Sequence, residues 1–281
     1  MPEMSTEEVV RIAQVAVSLG MSRVKLTGGE PLLRSDILEI VRGIATISGL
    51  RDLSMTTNGI RLFDLADALT KAGLKRININ LPSLDAKTYS TVNGGDLGEV
   101  LNGVGAAVKA GLDPVKLNML VLRGVNNGDI SKMIEFARQS QTILQLIELE
   151  PVNVNDDFYR EYYFPLDRFE EELTKQALEV QTRRDMQNRH IYTLPEVKVE
   201  IVHPIENTEF CARCTRLRVT SDGKLKPCLM VNNNLVDVLT PMRNGATDEE
   251  LKELFAEAVK RREPYYKAAK KDHSQGTHFA T

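Results

Sequence analysis

One repeated unit constrains this chain more than any other feature: an amphipathic helix, a glycine followed by an apolar residue, then a short β-rich run. It recurs at Gly20-Met21 before Arg23-Val24-Lys25-Leu26, Gly49-Leu50 before Leu53-Ser54-Met55, Gly73-Leu74 before Ile77-Asn78-Ile79, and Gly111-Leu112 before Val115-Lys116-Leu117. Each glycine is placed to end a helix in the left-handed conformation. The first helix carries its own start signal, because Ser5 and Glu8 have capping-box spacing ahead of Val9, Ile12, Ala13, Ala16 and Leu19. A further strand is expected at Leu144–Leu149. Strands so far apart, joined by helices, must run parallel. That leaves an open doubly wound sheet or a closed or partly closed barrel, and both place function at the C-terminal ends of the strands.

Those ends are polar where the strand bodies are not. They read Thr27-Gly28-Gly29-Glu30-Pro31, Thr56-Thr57-Asn58-Gly59, Asn80, Arg123-Gly124 and Glu148 to Glu150. Turn preferences alone explain such residues one turn at a time, whereas their concentration on one face reads as chemistry. The Gly28-Gly29 pair would let another molecule approach the backbone, and Glu30 would offer a carboxylate to an ammonium group, which suits a small amino-acid-like cofactor. Lys116 lies inside an apolar strand, where a cation needs a partner. Either an anionic ligand inside the barrel supplies one, or the lysine snorkels to the surface. Gly103-Val104-Gly105 partly resembles a dinucleotide loop, but it follows no strand and lacks the acidic partner.

From about residue 196 the pattern changes to short strands, Val197–Val202, Leu217–Thr220 and Lys224–Lys226, the last two forming a hairpin around Ser221-Asp222-Gly223. This divides the chain into 1–195 and 196–281. A final helix begins at Thr247, with Glu250 completing a capping box, and the tail after Arg262 reads as exposed. Cys211, Cys214 and Cys228 have the spacing C-x2-C-x13-C, and the hairpin would bring the third thiol back beside the pair. Three thiolates suit a 4Fe-4S cluster with one open iron; with His203 as a fourth ligand they suit structural zinc. Spacing does not choose between them. Arg216 and Arg218, alternate residues beside these ligands, would project together and grip one anion, or else lie on a solvated strand face.

Composition narrows the class of function. With 281 residues and 42% apolar content, the chain can bury one barrel-sized core plus an appendage. A formal net charge of −3 argues against a general nucleic-acid binder, so any nucleotide contact must be local. No run approaches the roughly 18 apolar residues of a membrane span, and the start Met1-Pro2-Glu3 lacks signal-peptide character, so a cytoplasmic protein is expected. Three clustered cysteines suit metal ligation in a reduced compartment better than disulfides.

Taken together, Thr27-Gly28-Gly29-Glu30-Pro31-Leu32-Leu33-Arg34, Thr56-Thr57-Asn58-Gly59 and the run from Cys211 to Cys228 resemble the MoaA family of radical S-adenosylmethionine GTP 3',8-cyclases. The similarity runs from Ser5 to about Tyr266. The resemblance implies a partial parallel (β/α) barrel whose first strand is missing, with a C-terminal cluster-binding extension. It implies a 4Fe-4S cluster on Cys211, Cys214 and Cys228 that presents an open iron to GTP. S-adenosylmethionine would meet Gly29, Glu30 and Asn80; GTP would meet Lys25, Thr56, Lys116, Arg216, Leu217 and Arg218. A 5'-deoxyadenosyl radical would abstract the ribose C3' hydrogen, and the sugar radical would attack C8 of guanine. The product serves molybdenum cofactor biosynthesis, where a cyclic pyranopterin synthase acts next, and a homodimer is compatible with the family.

The resemblance also breaks in places. The family's C-x3-C-x2-C loop, which binds a second, radical-generating cluster, precedes the helix at which this sequence starts, so the 281 residues are expected to lack radical chemistry of their own; a shortened chain or misplaced start codon would explain this. Strand Arg23–Leu26 would then be an exposed edge. Asn80 stands where a serine is usual, Gln145 and Glu150 stand where Arg and Met are common, and the end His278-Phe279-Ala280-Thr281 replaces Gly-Gly. The alternatives are a non-catalytic zinc-binding or interaction module, or another radical SAM maturase.

Overall fold

The side chains alternate along every strand of the main sheet, and that alternation sets the architecture. The computed structural model describes residues 3–151, 154–183, 189–203 and 214–262. Strands β1 (Arg23–Leu26), β2 (Asp52–Thr57), β3 (Arg76–Asn80), β4 (Val115–Val121) and β5 (Ile143–Glu148) lie side by side, each parallel to the next. β8 (Val197–Val202) continues the parallel run beside β5, and an antiparallel hairpin of β6 (Glu179–Arg183) and β7 (Arg189–Leu194) completes an eight-stranded sheet of order β1-β2-β3-β4-β5-β8-β7-β6. β1 is an edge, as expected, and the wall stays open between β1 and β6. The parallel α/β run is the one the repeat implies, and of the architectures it left open the fold is the partial barrel that the family resemblance implies.

The hairpin β6–β7 was not legible in the sequence. Residues 179–182 are all exposed, so they lack the one-sided apolar alternation that marks a strand. Moreover, the division expected at 195/196 falls inside the sheet, between β7 and β8. β8 has five of its six residues buried and pairs with β5, while the shorter strands after it form a separate sheet.

The outer face of the main sheet is apolar. Leu53, Met55, Ile77, Ile79, Leu117, Met119, Leu144, Leu146, Val199 and Ile201 are buried in one core beneath helices α2 (Ile37–Ala45), α3 (Leu62–Ala72), α5 (Leu97–Lys109) and α6 (Ile130–Gln139). Helix α5 comes close to the turn before α3: a methyl group at Gly103 would lie 2.5 Å from the Gly59 carbonyl oxygen. Gly103 is therefore a packing residue within a helix. The four junction glycines have φ of 89° (Gly20), 91° (Gly49), 110° (Gly73) and 80° (Gly111), the left-handed turns the repeat predicts.

The inner face is different. The register aligns Thr56, Asn78 and Lys116 in one row, and Asn80, Asn118, Gln145 and Glu200 in the next. A parallel sheet covered on both sides usually reads apolar on both. Here Ser54, Asn78, Lys116, Gln145 and Glu200 are buried polar residues, so the hollow is lined for hydrogen bonding rather than closed by hydrophobic packing.

A second, smaller core stands beside the barrel. Its sheet contains β9 (Arg218–Val219), β10 (Lys224–Lys226) and β11 (Val236–Asp237), and it is followed by helices Leu239–Arg243 and Asp248–Lys260. Helix α1 (Thr6–Ser18) bridges the two cores: Ala13 packs into the first, Ile12 and Val15 into the second with Leu225, Val238 and Phe255. Both capping boxes, Ser5 with Glu8 and Thr247 with Glu250, form as read. Arg11 donates to the Ala246 carbonyl at 2.6 Å and Arg243 to Glu8 at 2.7 Å, fastening α1 to the extension. Among the described residues, no helix is long and apolar enough to cross a membrane.

Candidate functional site

Positive charge gathers on the inner face because cations come from strands at both ends of the wall. Lys25 on β1 donates to Asn78 Oδ1 at 3.1 Å. Solvent reaches Lys25 from the mouth of the hollow, yet protein crowds it. That desolvation, followed by the fields of Arg76, Arg216, Arg189 and Lys116, pushes its ammonium down to about 7. Arg76 is held by Asp52, its partner across β2 and β3. A bound anion would relieve the crowding of charge.

Lys116 has a partner that sequence reasoning did not supply. Its ammonium pairs with Glu200 on β8, with side chains 5% and 1% exposed, and Arg183 approaches the same carboxylate at 3.3 Å. The expectation that Lys116 either needs a ligand or snorkels is therefore corrected: β8, beyond β5 on the same inner face, brings a carboxylate from 84 residues away. Such a buried pair keeps the cation in place but leaves Arg183 and its neighbours in excess.

Glu30 is also more occupied than the sequence implied. Its carboxylate accepts from Thr57 Oγ1 at 2.6 Å, from the Asn58 N–H at 2.6 Å and from the Leu32 N–H at 3.0 Å. Its first task is to lock the turn after β1 onto the end of β2; service to an ammonium group would have to use what acceptor capacity remains. The neighbouring glycines stay approachable: φ at Gly28 is +125°, and a methyl group placed at Gly28 or Gly29 would meet nothing within 4 Å. Thr56 lines the hollow in the row of Asn78 and Lys116.

On the extension, Arg216 and Arg218 both act on the half-buried Glu150, together with Arg189 from β7. Burial pushes the Glu150 carboxyl up, and these three guanidiniums pull it back. Leu217 between them packs on the second core. The hairpin register pairs Arg218 with Lys226 and Val219 with Leu225, and Cys214 precedes the first of these strands as Cys228 follows the second. Arg262 at the end of the last helix donates to the Cys214 carbonyl. Cys211 lies outside the described residues.

His203, the candidate fourth zinc ligand, is engaged elsewhere. Its Nδ1 lies 3.0 Å from Glu148 and its Nε2 2.9 Å from Glu170. It is partly buried, which by itself disfavours the charged ring, but the two carboxylates prevail and raise its pKa to about 10. With both ring nitrogens used, His203 has no lone pair for a metal, and the zinc reading loses its fourth donor.

Several residues of this site were missed in the sequence: Arg76, Asn78, Asn118, Arg183, Arg189 and Glu200. A signal existed for some of them. Asn78 with Asn80, and Lys116 with Asn118, are polar residues two apart in otherwise apolar strands, the spacing of one strand face. For Glu200 no such pairing could be read before β8 was placed.

Comparison with known proteins places the chain in a class and then a family. Residues 1–137 match the Radical SAM superfamily and residues 142–268 match Molybdenum Cofactor Synthesis C. The structure of Streptococcus suis SuiB overlays 87% of this chain and 56% of that one, with a TM-score of 0.57 at 15% identity, a likeness of fold. The chain is thus a radical SAM protein with a partial barrel. A probable GTP 3',8-cyclase of Thermococcus kodakarensis is 52% identical over 272 residues, covering 94% of this chain and 87% of that protein. One from Methanothermobacter marburgensis is 48% identical over 268 residues, covering 95% and 87%. The chain belongs to the GTP 3',8-cyclase (MoaA) family of molybdenum cofactor biosynthesis.

Proposed function

We propose that the hollow holds GTP with its triphosphate on the cationic side, and S-adenosylmethionine at the ends of β1 and β3. The observation that carries this is the charge imbalance: Lys25, Arg76, Lys116, Arg183, Arg189, Arg216 and Arg218 face Asp52, Glu150 and Glu200. A triphosphate restores balance, and guanidiniums suit its oxygens through paired charge-assisted bonds. Lys25, Lys116, Arg216 and Arg218 are the residues we assign to GTP, with Thr56 and the Leu217 backbone beside them.

The cofactor subsite is assigned to Gly29 and Asn80, with Glu30 fixing the turn. Its support is the open approach at Gly28-Gly29 and the half-exposed Asn80 amide across the strand ends. Cys214 and Cys228 are free thiols on the segments flanking the β9–β10 hairpin, and with Cys211 they would hold a 4Fe-4S cluster. The engagement of His203 favours that cluster, with one open iron, over closed zinc. When bound, S-adenosylmethionine and a reduced iron-sulfur cluster supply the one-electron chemistry of the class. Lys25, Lys116, Arg216 and Arg218 would hold the triphosphate, and Cys211, Cys214 and Cys228 would hold the cluster whose open iron would take up the base.

The test is anaerobic reconstitution with iron and sulfide, followed by GTP titration. Binding of GTP that weakens sharply with salt supports the assignment; absence of binding at millimolar GTP sinks it. Cys228→Ser should strip the sample of cluster absorbance and iron, and full iron content in that variant would contradict the cysteine assignment.

A further inference from the structure

We propose that Asn78 and Asn118 form a one-way hydrogen-bond relay that positions the Asn80 amide from Lys25, coupling the anion subsite to the cofactor subsite. Three bonds of equal length make the relay. Lys25 Nζ donates to Asn78 Oδ1, Asn78 Nδ2 donates to Asn118 Oδ1, and Asn118 Nδ2 donates to Asn80 Oδ1, each at 3.1 Å. The inference rests on the assignment of Lys25 to GTP and of Asn80 to S-adenosylmethionine.

Direction follows from chemistry. An ammonium has only donors, so Asn78 must turn its oxygen toward Lys25 and its nitrogen toward β4. Asn118 then has to offer oxygen to Asn78 and nitrogen to Asn80. The last amide is left with its oxygen turned inward and its NH2 available at the strand ends, where it can donate to an acceptor on the cofactor, such as a ribose hydroxyl or carboxylate oxygen. Asn78 is buried, and Asn118 sits in the register position directly opposite Asn80, so a flipped amide has no nearby solvent with which to repair a mismatch at Asn78. Each reversed amide would set like groups face to face.

An anion beside Lys25 strengthens the relay. Surrounded by Arg76, Arg189, Arg216 and Lys116, with Asp52, Glu150 and Glu200 as the facing carboxylates, Lys25 is easily deprotonated, and a neutral amine can accept as well as donate. A triphosphate keeps it an ammonium and thereby holds all three amides in one orientation. Asn78 and Asn118 touch neither subsite's ligand in this scheme; they are positioning residues.

The relay is tested with the 281-residue chain, GTP and S-adenosylmethionine as probes. Wild type should bind S-adenosylmethionine more tightly when saturated with GTP. Asn118→Leu, similar in volume but unable to relay, should lose that gain and weaken S-adenosylmethionine binding about three- to tenfold, the worth of one positioned hydrogen bond. GTP affinity alone should stay at the wild-type value, and unfolding stability should fall by no more than the cost of one unpaired buried amide at Asn78, about 1–3 kcal/mol. Equal losses for both ligands would make Asn118 merely structural and overturn the relay, as would unchanged cofactor binding. If wild type binds neither ligand, the function assigned above fails together with the relay's purpose. A ligand-free measurement separates the two: the Asn80 side-chain amide resonances should move on Lys25→Gln in the wild-type background and stay still on the same change beside Asn118→Leu. Identical movement in both backgrounds would refute the relay whatever the ligands do.

Discussion

The two faces of the main sheet carry charge clusters built on opposite plans. On the outer face, the His203 ring stands between Glu148 and Glu170, and Glu170 also takes His190 Nδ1 at 3.0 Å and the Tyr192 hydroxyl. Every acceptor there is answered by a donor, and the network ties helix α8 (Asp167–Gln176) to β7 and β8. On the inner face, cations outnumber carboxylates, and desolvation and the crowding of charge lower the Lys25 ammonium to about 7. A cluster that closes on itself fixes elements in place, whereas one left with a surplus is prepared for a ligand of opposite sign.

The sharpest way to break this comparison is through the most deeply buried inner pair, Lys116 with Glu200. Glu200→Leu leaves Lys116 buried without its carboxylate, and should cost about 3–5 kcal/mol in urea unfolding; a cost below about 1 kcal/mol would show that the pair is not what keeps Lys116 inside. Next comes Arg216→Ala, which removes charge from the surplus. It should weaken GTP binding about tenfold to a hundredfold, with little change in unfolding, as a charge-assisted contact to a ligand requires. Loss of stability without loss of affinity would reverse the assignment of the two faces.

The outer cluster gives the pH arm of the comparison. The folded-state pKa of His203, raised to about 10 from its ordinary 6.5, adds stability that is complete below the unfolded value and disappears as pH rises through about 10. Glu170, lowered to about 2 chiefly by its bonds to His203, Tyr192 and His190 against the desolvation that raises it, reports the same interaction from the acid side, present above 4.5 and lost as pH falls through about 2. His203→Gln should therefore cost about 1–3 kcal/mol at neutral pH and flatten the decline of stability between pH 6.5 and 10. An unaltered pH profile would mean that the ring is not charged in the folded protein. The smallest effect is expected at the exposed clasp between α1 and the extension. Arg11 and Asp248 are 34% and 56% exposed, and Asp248→Asn should change stability by no more than about 0.5 kcal/mol; a larger change would place the joint between the two cores under electrostatic control.

Much of this organisation was legible before any coordinates. The left-handed glycines, both capping boxes, strands β1 to β5 and β8, and the hairpin after Arg218 all follow from local rules that act within a few residues. Lys116 and the strand-end residues Thr56 and Asn80 were also picked out, because polar residues in or at the ends of apolar strands conflict with their surroundings, whereas Lys25 was reached only through the family resemblance. Glu200 was not, since a glutamate in a short strand of mixed character has no local oddity. His203 was misread for a related reason: a histidine near three cysteines invites metal ligation until its two carboxylate partners are found on β5 and α8.

By itself, the sequence determined the helix and strand units, their parallel run, and the cysteine and arginine types gathered near the end, because each depends on neighbours close along the chain. Only the tertiary structure decided which charges meet. The pairing of Lys116 with Glu200, the clasp of His203, and the line of amides from Lys25 to Asn80 join residues 33 to 84 positions apart. Electrostatic and hydrogen-bond energies depend on distance in space and on solvent exposure, and both are set only once the strands lie side by side and the helices pack against them.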